Sequence, residues 1–189
     1  NPQSLTEEAE LAGYPRNLCA WIKGIYSTVL KNQDIRTLIA VTQGDCSNTH
    51  ALMETLQLAG VEIVPFAYPY DRDVDLLRLQ MEKVMHFFDV TWEQVREQKQ
   101  RLDRVRHRVW ELDRLTWEEN RVSGWDNHLY QISCSDFNGD PEKFAAEVDY
   151  ILEKTRLSEP RTGELRLGYI GVPPIMGELY PYLEERGAR

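Results

Sequence analysis

Two short apolar runs bracket one helix-length segment, and that arrangement leaves few folds open. RTLIAVT (residues 36–42) is rich in β-formers, and VEIVPFAYP (61–69) is a second such run, so each reads as a buried strand. Between them, residues 47–59 carry Leu52, Leu56 and Ala59 at helical spacing and stop at Gly60, a common helix terminator. Strand, helix and strand with short joints make a βαβ unit, whose strands should be parallel.

The rest of the chain adds mostly helix. RNLCAWIKGIYSTVLK (16–31) repeats Leu18, Trp21, Ile22, Ile25 and Val29 at helical spacing. Asn17 is its expected cap, which puts Cys19 in the first turn. A helix is expected over 73–88. Another opens at Thr91, with Gln94 completing a capping box and Val90 with Val95 a hydrophobic staple. It is expected to run to about residue 121, roughly 45 Å, with a thin apolar stripe and nearly balanced charges. Its basic residues read as a solvated face with (i, i+4) pairs rather than a nucleic-acid patch. SGWDN (123–127) breaks it, and HLYQISCS (128–135) reads as a short helical piece. Asp140 and Pro141 form a cap and first-turn pair for a helix through Leu152. SEPRTGE (158–164) reads as a linker, LRLGYIGV (165–172) as a third strand, and the segment after Pro173–Pro174 as a helix to about Glu185.

The fold class expected is therefore α/β: an open parallel sheet of Rossmann-like or flavodoxin-like kind with a long helical insertion. The first domain spans 1–157, with its helical region at about 71–155. A strand plus a helix cannot bury its own faces, so residues 158–189 read as a linker and the truncated start of a second similar unit, and the chain as a fragment of a longer protein.

Charge and composition exclude several functions. With 22 basic residues against 31 acidic, the net charge is −9, which argues against nucleic acid as a partner. No run of ~18 apolar residues is present to span a membrane, and the polar, acidic NPQSLTEEAELAG is not a signal peptide. Three widely spaced cysteines do not make a disulfide framework, and a cytoplasmic location is the simplest setting. No GxGxxG, GxxxxGK[ST], GxSxG or HExxH motif occurs.

The chemistry that remains centres on VTQGDCSNTH (41–50). Cys46 stands where a strand gives way to a helix, and Cys19 stands at the start of another helix. Helix N-termini carry unpaired N–H groups and partial positive charge, which favour thiolate, the form that binds metal or attacks electrophiles. Their spacing rules out a CxxC pair or a zinc knuckle. On spacing alone, two readings stay open: converging thiolates, or ordinary small buried residues. Cys134 lacks any strand-to-helix setting. Asp45 reads as a base or as a turn former, and His50 as a site donor or a surface residue. His86, His107 and His128 form no cluster along the sequence.

The order of these elements resembles the first domain of the 2-hydroxyacyl-CoA dehydratase D-component family, which also includes subunits of ATP-dependent benzoyl-CoA reductase. The resemblance runs through NLCAWIKGIYSTVLKNQDIRTLIAVTQGDCSNTHALMETLQLAGVEIVPFAYPYD, then DPEKF (140–144), RLGYIGVPP (166–174) and the closing YLEERGAR. Where the family commonly has Thr-Cys-Asp, this chain has Asp45-Cys46-Ser47.

The resemblance implies an iron–sulfur subunit of a hydro-lyase that removes water from a 2-hydroxyacyl-CoA thioester. It implies a [4Fe–4S] cluster between domains, with Cys19 and Cys46 matching its first two ligands. A third family cysteine lies past Arg189, so the cluster is expected to be absent or labile in this chain. The implied partners are the acyl-CoA substrate, a sister dehydratase subunit, and an ATP-dependent iron–sulfur activator that injects one electron, making a substrate ketyl radical anion that expels the hydroxyl. Ser47 and Asn48, in the turn after Cys46, are the nearest polar groups to face the thioester, or else they cap the helix. The alternatives are a benzoyl-CoA reductase-type subunit and a non-catalytic electron-transfer or interaction domain.

Overall fold

β1 (Thr37–Gln43) and β2 (Glu62–Ala67) pair in parallel, as the βαβ pattern requires, with Leu38 opposite Ile63 and Ala40 opposite Pro65. α3 (Ser47–Leu58) connects them. A computed structural model describes residues 2–161, 163 and 165–189. The chain is mixed α/β, mostly helix, with a small sheet of two strands among the described residues. It forms two compact units divided between Trp92 and Glu93.

In the first unit, α2 (Ala20–Lys31) lies beside α3, and Ile22, Val29, Leu52 and Leu56 close a core with Leu38 and Ile63 of the strands. α3 stops where expected, at Gly60, which adopts φ +87°. α4 (Val74–Phe87) is capped by Asp73, whose carboxylate accepts the Asp75 and Leu76 N–H groups.

α1 (Pro2–Leu11) is a helix that the sequence pattern did not reveal. Its apolar signal is thin, and what holds it is long-range. Ser27 Oγ on α2 donates to the Leu5 carbonyl at 2.6 Å, and Lys23 Nζ reaches Glu10 at 2.6 Å. α2 also starts later than expected. The Leu18 N–H bonds back to the Pro15 carbonyl at 3.0 Å, closing a turn over Pro15–Leu18. Asn17 is thus not the cap; Cys19 itself is.

In the second unit, α5 (Trp92–Trp117) buries Val105, Val109, Leu112 and Leu115 at helical spacing against Phe144, Val148 and Leu152 of α7 (Pro141–Arg156). Its 26 residues span about 39 Å. It ends before residue 121, and Asn120 takes a left-handed φ of 58°. The basic face pairs as expected: Arg114 binds Glu111 and Glu118, and Arg108 binds Asp149 of α7. Asp140 caps α7 by accepting the Lys143 N–H at 3.0 Å. α6 (Gly124–Ser133) is capped by Ser123.

Residues 165–172 do not form the continuous strand expected. Leu165 makes a single parallel bridge to Ala188. The Leu165 and Leu167 N–H groups donate to the carbonyls of Gly187 and Arg189, and Arg189 returns an N–H to Leu165. Beyond Leu167 no neighbouring strand pairs with the run among the described residues, and Ile170 is fully exposed. α8 (Leu179–Glu184) is shorter than the helix expected there. No helix among the described residues is long and apolar enough to cross a membrane.

Candidate functional site

Cys46 is the N-cap residue of α3, and Cys19 the N-cap residue of α2. Both have non-helical backbone, with φ −76°, ψ 160° at Cys46 and φ −48°, ψ 127° at Cys19. Neither side chain makes the capping hydrogen bond, and both thiols are exposed. Helices are usually capped by Ser, Thr, Asp or Asn, whose oxygen satisfies an orphan N–H. Two helices that pack on one core therefore each begin with a free, solvent-facing sulfur.

The joint before Cys46 is tightly built. β1 bulges between Val41 and Gln43, and the Tyr68 N–H donates to the Gln43 carbonyl at 2.9 Å. Gly44 then turns the chain with φ +96°. A Cβ there would lie 3.1 Å from that of Tyr68, so both backbone and space call for glycine. Asp45 acts as a turn former and brace: Oδ1 accepts the Cys46 N–H at 2.7 Å, and Oδ2 accepts the Thr49 hydroxyl at 3.0 Å. A turn further on, His50 Nε2–H donates to the Thr42 carbonyl.

Ser47 and Asn48 are the first two residues of α3, exposed and partly exposed respectively. The cap position is occupied by Cys46, and the structure records no hydrogen bond from either side chain. They lie beside Cys46 in the first turn, where their polar groups remain available.

Cys134 belongs to the second unit, at the C-terminal end of α6 and packed against the second core. Burial pushes its thiol up, against a smaller opposing effect of Arg106. His128 belongs to an aromatic group that spacing did not reveal. Trp125 stacks on it at 5.7 Å, and the Tyr180 hydroxyl bonds its Nδ1 at 2.8 Å, beside a cavity of about 520 Å³ in the second unit.

Among the described residues, no group of three or more His, Cys, Asp or Glu side chains is placed to hold a metal ion. The chemistry of the donors present nevertheless suits an iron–sulfur cluster. Cys19 and Cys46 offer two unengaged sulfurs of the kind such clusters take, each beside helix N–H groups that bond to sulfur and tune potential.

Compared with known proteins, residues 1–189 match the family model described as 2-hydroxyglutaryl-CoA dehydratase, D-component. No curated protein and no solved structure matches the chain.

Proposed function

The chain belongs to the 2-hydroxyglutaryl-CoA dehydratase D-component family, and on that premise we propose that it serves as the iron–sulfur subunit of a 2-hydroxyacyl-CoA dehydratase, eliminating water from a 2-hydroxyacyl-CoA thioester by a radical route. One observation carries the reading: both helices of the first core that adjoin β1 are capped by an exposed cysteine whose side chain makes no capping hydrogen bond.

Topology supports a shared site for the two sulfurs. α2 leads through residues 32–36 into the start of β1, and α3 leaves the end of β1 through residues 44–46. Both helices lie against the same core with Leu38 and Ile63. On this reading their N-caps stand at the carboxyl end of β1, the position at which open α/β sheets bind ligands. The two-stranded parallel sheet is then the nucleus of a Rossmann-like or flavodoxin-like domain. The parallel pairing of Leu165–Leu167 with Gly187–Arg189 is the start of a second.

When bound, a [4Fe–4S] cluster would supply one-electron chemistry. Cys19 and Cys46 would hold it, with further ligation from outside this set. The first N–H groups of α2 and α3 lend partial positive charge to an anionic site. Ser47 and Asn48 orient the thioester with hydroxyl and amide groups that nothing else occupies. A sister subunit completes the substrate site, and an ATP-dependent activator delivers the electron. Free thiols of this kind suit a reducing cytoplasm.

The test is anaerobic dehydration of 2-hydroxyglutaryl-CoA by the protein combined with its sister subunit, activator and ATP. Turnover that Cys46→Ala abolishes supports the reading. Undiminished turnover by Cys46→Ala refutes it.

A further inference from the structure

Lys23 is the most deeply buried cation of the first unit, and nothing in the proposed chemistry uses it. Only 4% of the residue is exposed. Its Nζ donates to Glu10 Oε1 at 2.6 Å and to the Arg16 carbonyl at 3.0 Å. Its backbone N–H donates to the Cys19 carbonyl at 3.3 Å. One residue thus bonds both Cys19 and the segment that precedes it.

Burying an ammonium is costly unless its hydrogen bonds are met, and an apolar side chain of similar length would fill the same space. Lys23 shares the joining of α1 to α2 with Ser27 Oγ, which ties α2 to the Leu5 carbonyl. What Lys23 adds is a bond to the Arg16 carbonyl, in the non-helical segment that leads into Cys19, where the Arg16 guanidinium also pairs with Glu10 at 3.7 Å. The comparison with Cys46 is direct. There the preceding residue, Asp45, braces the cap through its carboxylate. The residue before Cys19 is Leu18, which has no such group.

We propose that Lys23 is a positioning residue for Cys19: through the Arg16 carbonyl and Glu10, it anchors the approach to α2 so that the Cys19 sulfur faces the site it shares with Cys46. The inference rests on the reading of the two cysteines as ligands of one cluster.

The experiment is bridging of Cys19 and Cys46 by dibromobimane in the metal-free chain, in a Cys134→Ser background. Lys23→Met is expected to slow bridging at least about threefold by loosening the local segment. Single alkylation of Cys46 should be unchanged, and Lys23→Arg should restore bridging. Bridging by Lys23→Met at the parent rate overturns the proposal. If the parent chain does not bridge, the shared-site reading fails, and amide exchange over residues 16–22 then judges Lys23 by itself. Faster exchange there in Lys23→Met, with residues 47–53 unchanged, upholds the anchoring role, and equal exchange overturns it. Should Lys23→Met unfold the chain, Glu10→Gln/Lys23→Met leaves no unpaired buried charge and gives the same readout.

Discussion

Asp45 accepts the backbone N–H of Cys46 at 2.7 Å, so the residue before the cap ties down the cap residue itself. Its second oxygen takes the Thr49 hydroxyl at 3.0 Å. Asp45→Ala is expected to cost about 1–2 kcal/mol and to fray the start of α3. Asp45→Asn keeps an acceptor for Cys46 but not one for Thr49, and should fall between the two. Urea unfolding of the three proteins checks the order.

Gly44 turns the chain at φ +96° with Tyr68 3.1 Å from any added Cβ. Gly44→Ala should destabilise the protein by about 1–3 kcal/mol. Gly24 supplies the control, because it sits inside α2 with nothing within 4 Å of an added Cβ. Gly24→Ala should stabilise by about 0.5–1 kcal/mol. Opposite shifts in thermal midpoint are the expected result.

Much of this joint was legible in the sequence. The runs at 36–42 and 61–69 and the helix between them are local patterns, and each ends at a glycine or a turn residue whose role is also local. The same holds for the Asp140 cap, whose carboxylate acts three residues away. What stayed hidden depends on contacts far along the chain. α1 is held by Lys23 and Ser27 of another helix, and no window of its own sequence records that. Residues 165–172 have a strand's composition, yet a strand forms only where a partner lies alongside, and the partner reaches just to Leu167. The turn at Pro15–Leu18 moved the helix start onto Cys19, the kind of shift that periodicity cannot resolve. Tyr68 against Gly44 is likewise a tertiary contact.

The Glu111 carboxyl is lowered to about 2, first by hydrogen bonds from Arg114 and then by Arg156. A carboxyl depressed in the folded chain contributes stability above its unfolded value, about 4.5, and loses it as pH falls toward 2. Wild type should therefore exceed Glu111→Gln in urea midpoint at neutral pH, with the gap closing between about pH 4.5 and 2. Because these groups are partly exposed, added salt should narrow the gap.

Cys134 differs from the other two thiols in packing, since burial raises its pKa while Cys19 and Cys46 face solvent. In the native chain, iodoacetamide should modify Cys134 at least about tenfold more slowly than either. In urea the three rates should converge. Peptide-level mass spectrometry reads all three at once.

Cys19 and Cys46 are proposed to hold one iron–sulfur cluster. Anaerobic reconstitution with iron and sulfide, read by bound iron and electron paramagnetic resonance after reduction, tests it in the parent chain and in Cys19→Ala, Cys46→Ala and Cys134→Ala. The expected result is a cluster signal, weakly held, that each of the first two changes removes and the third leaves intact. A signal that survives Cys19→Ala or Cys46→Ala at full strength would contradict it.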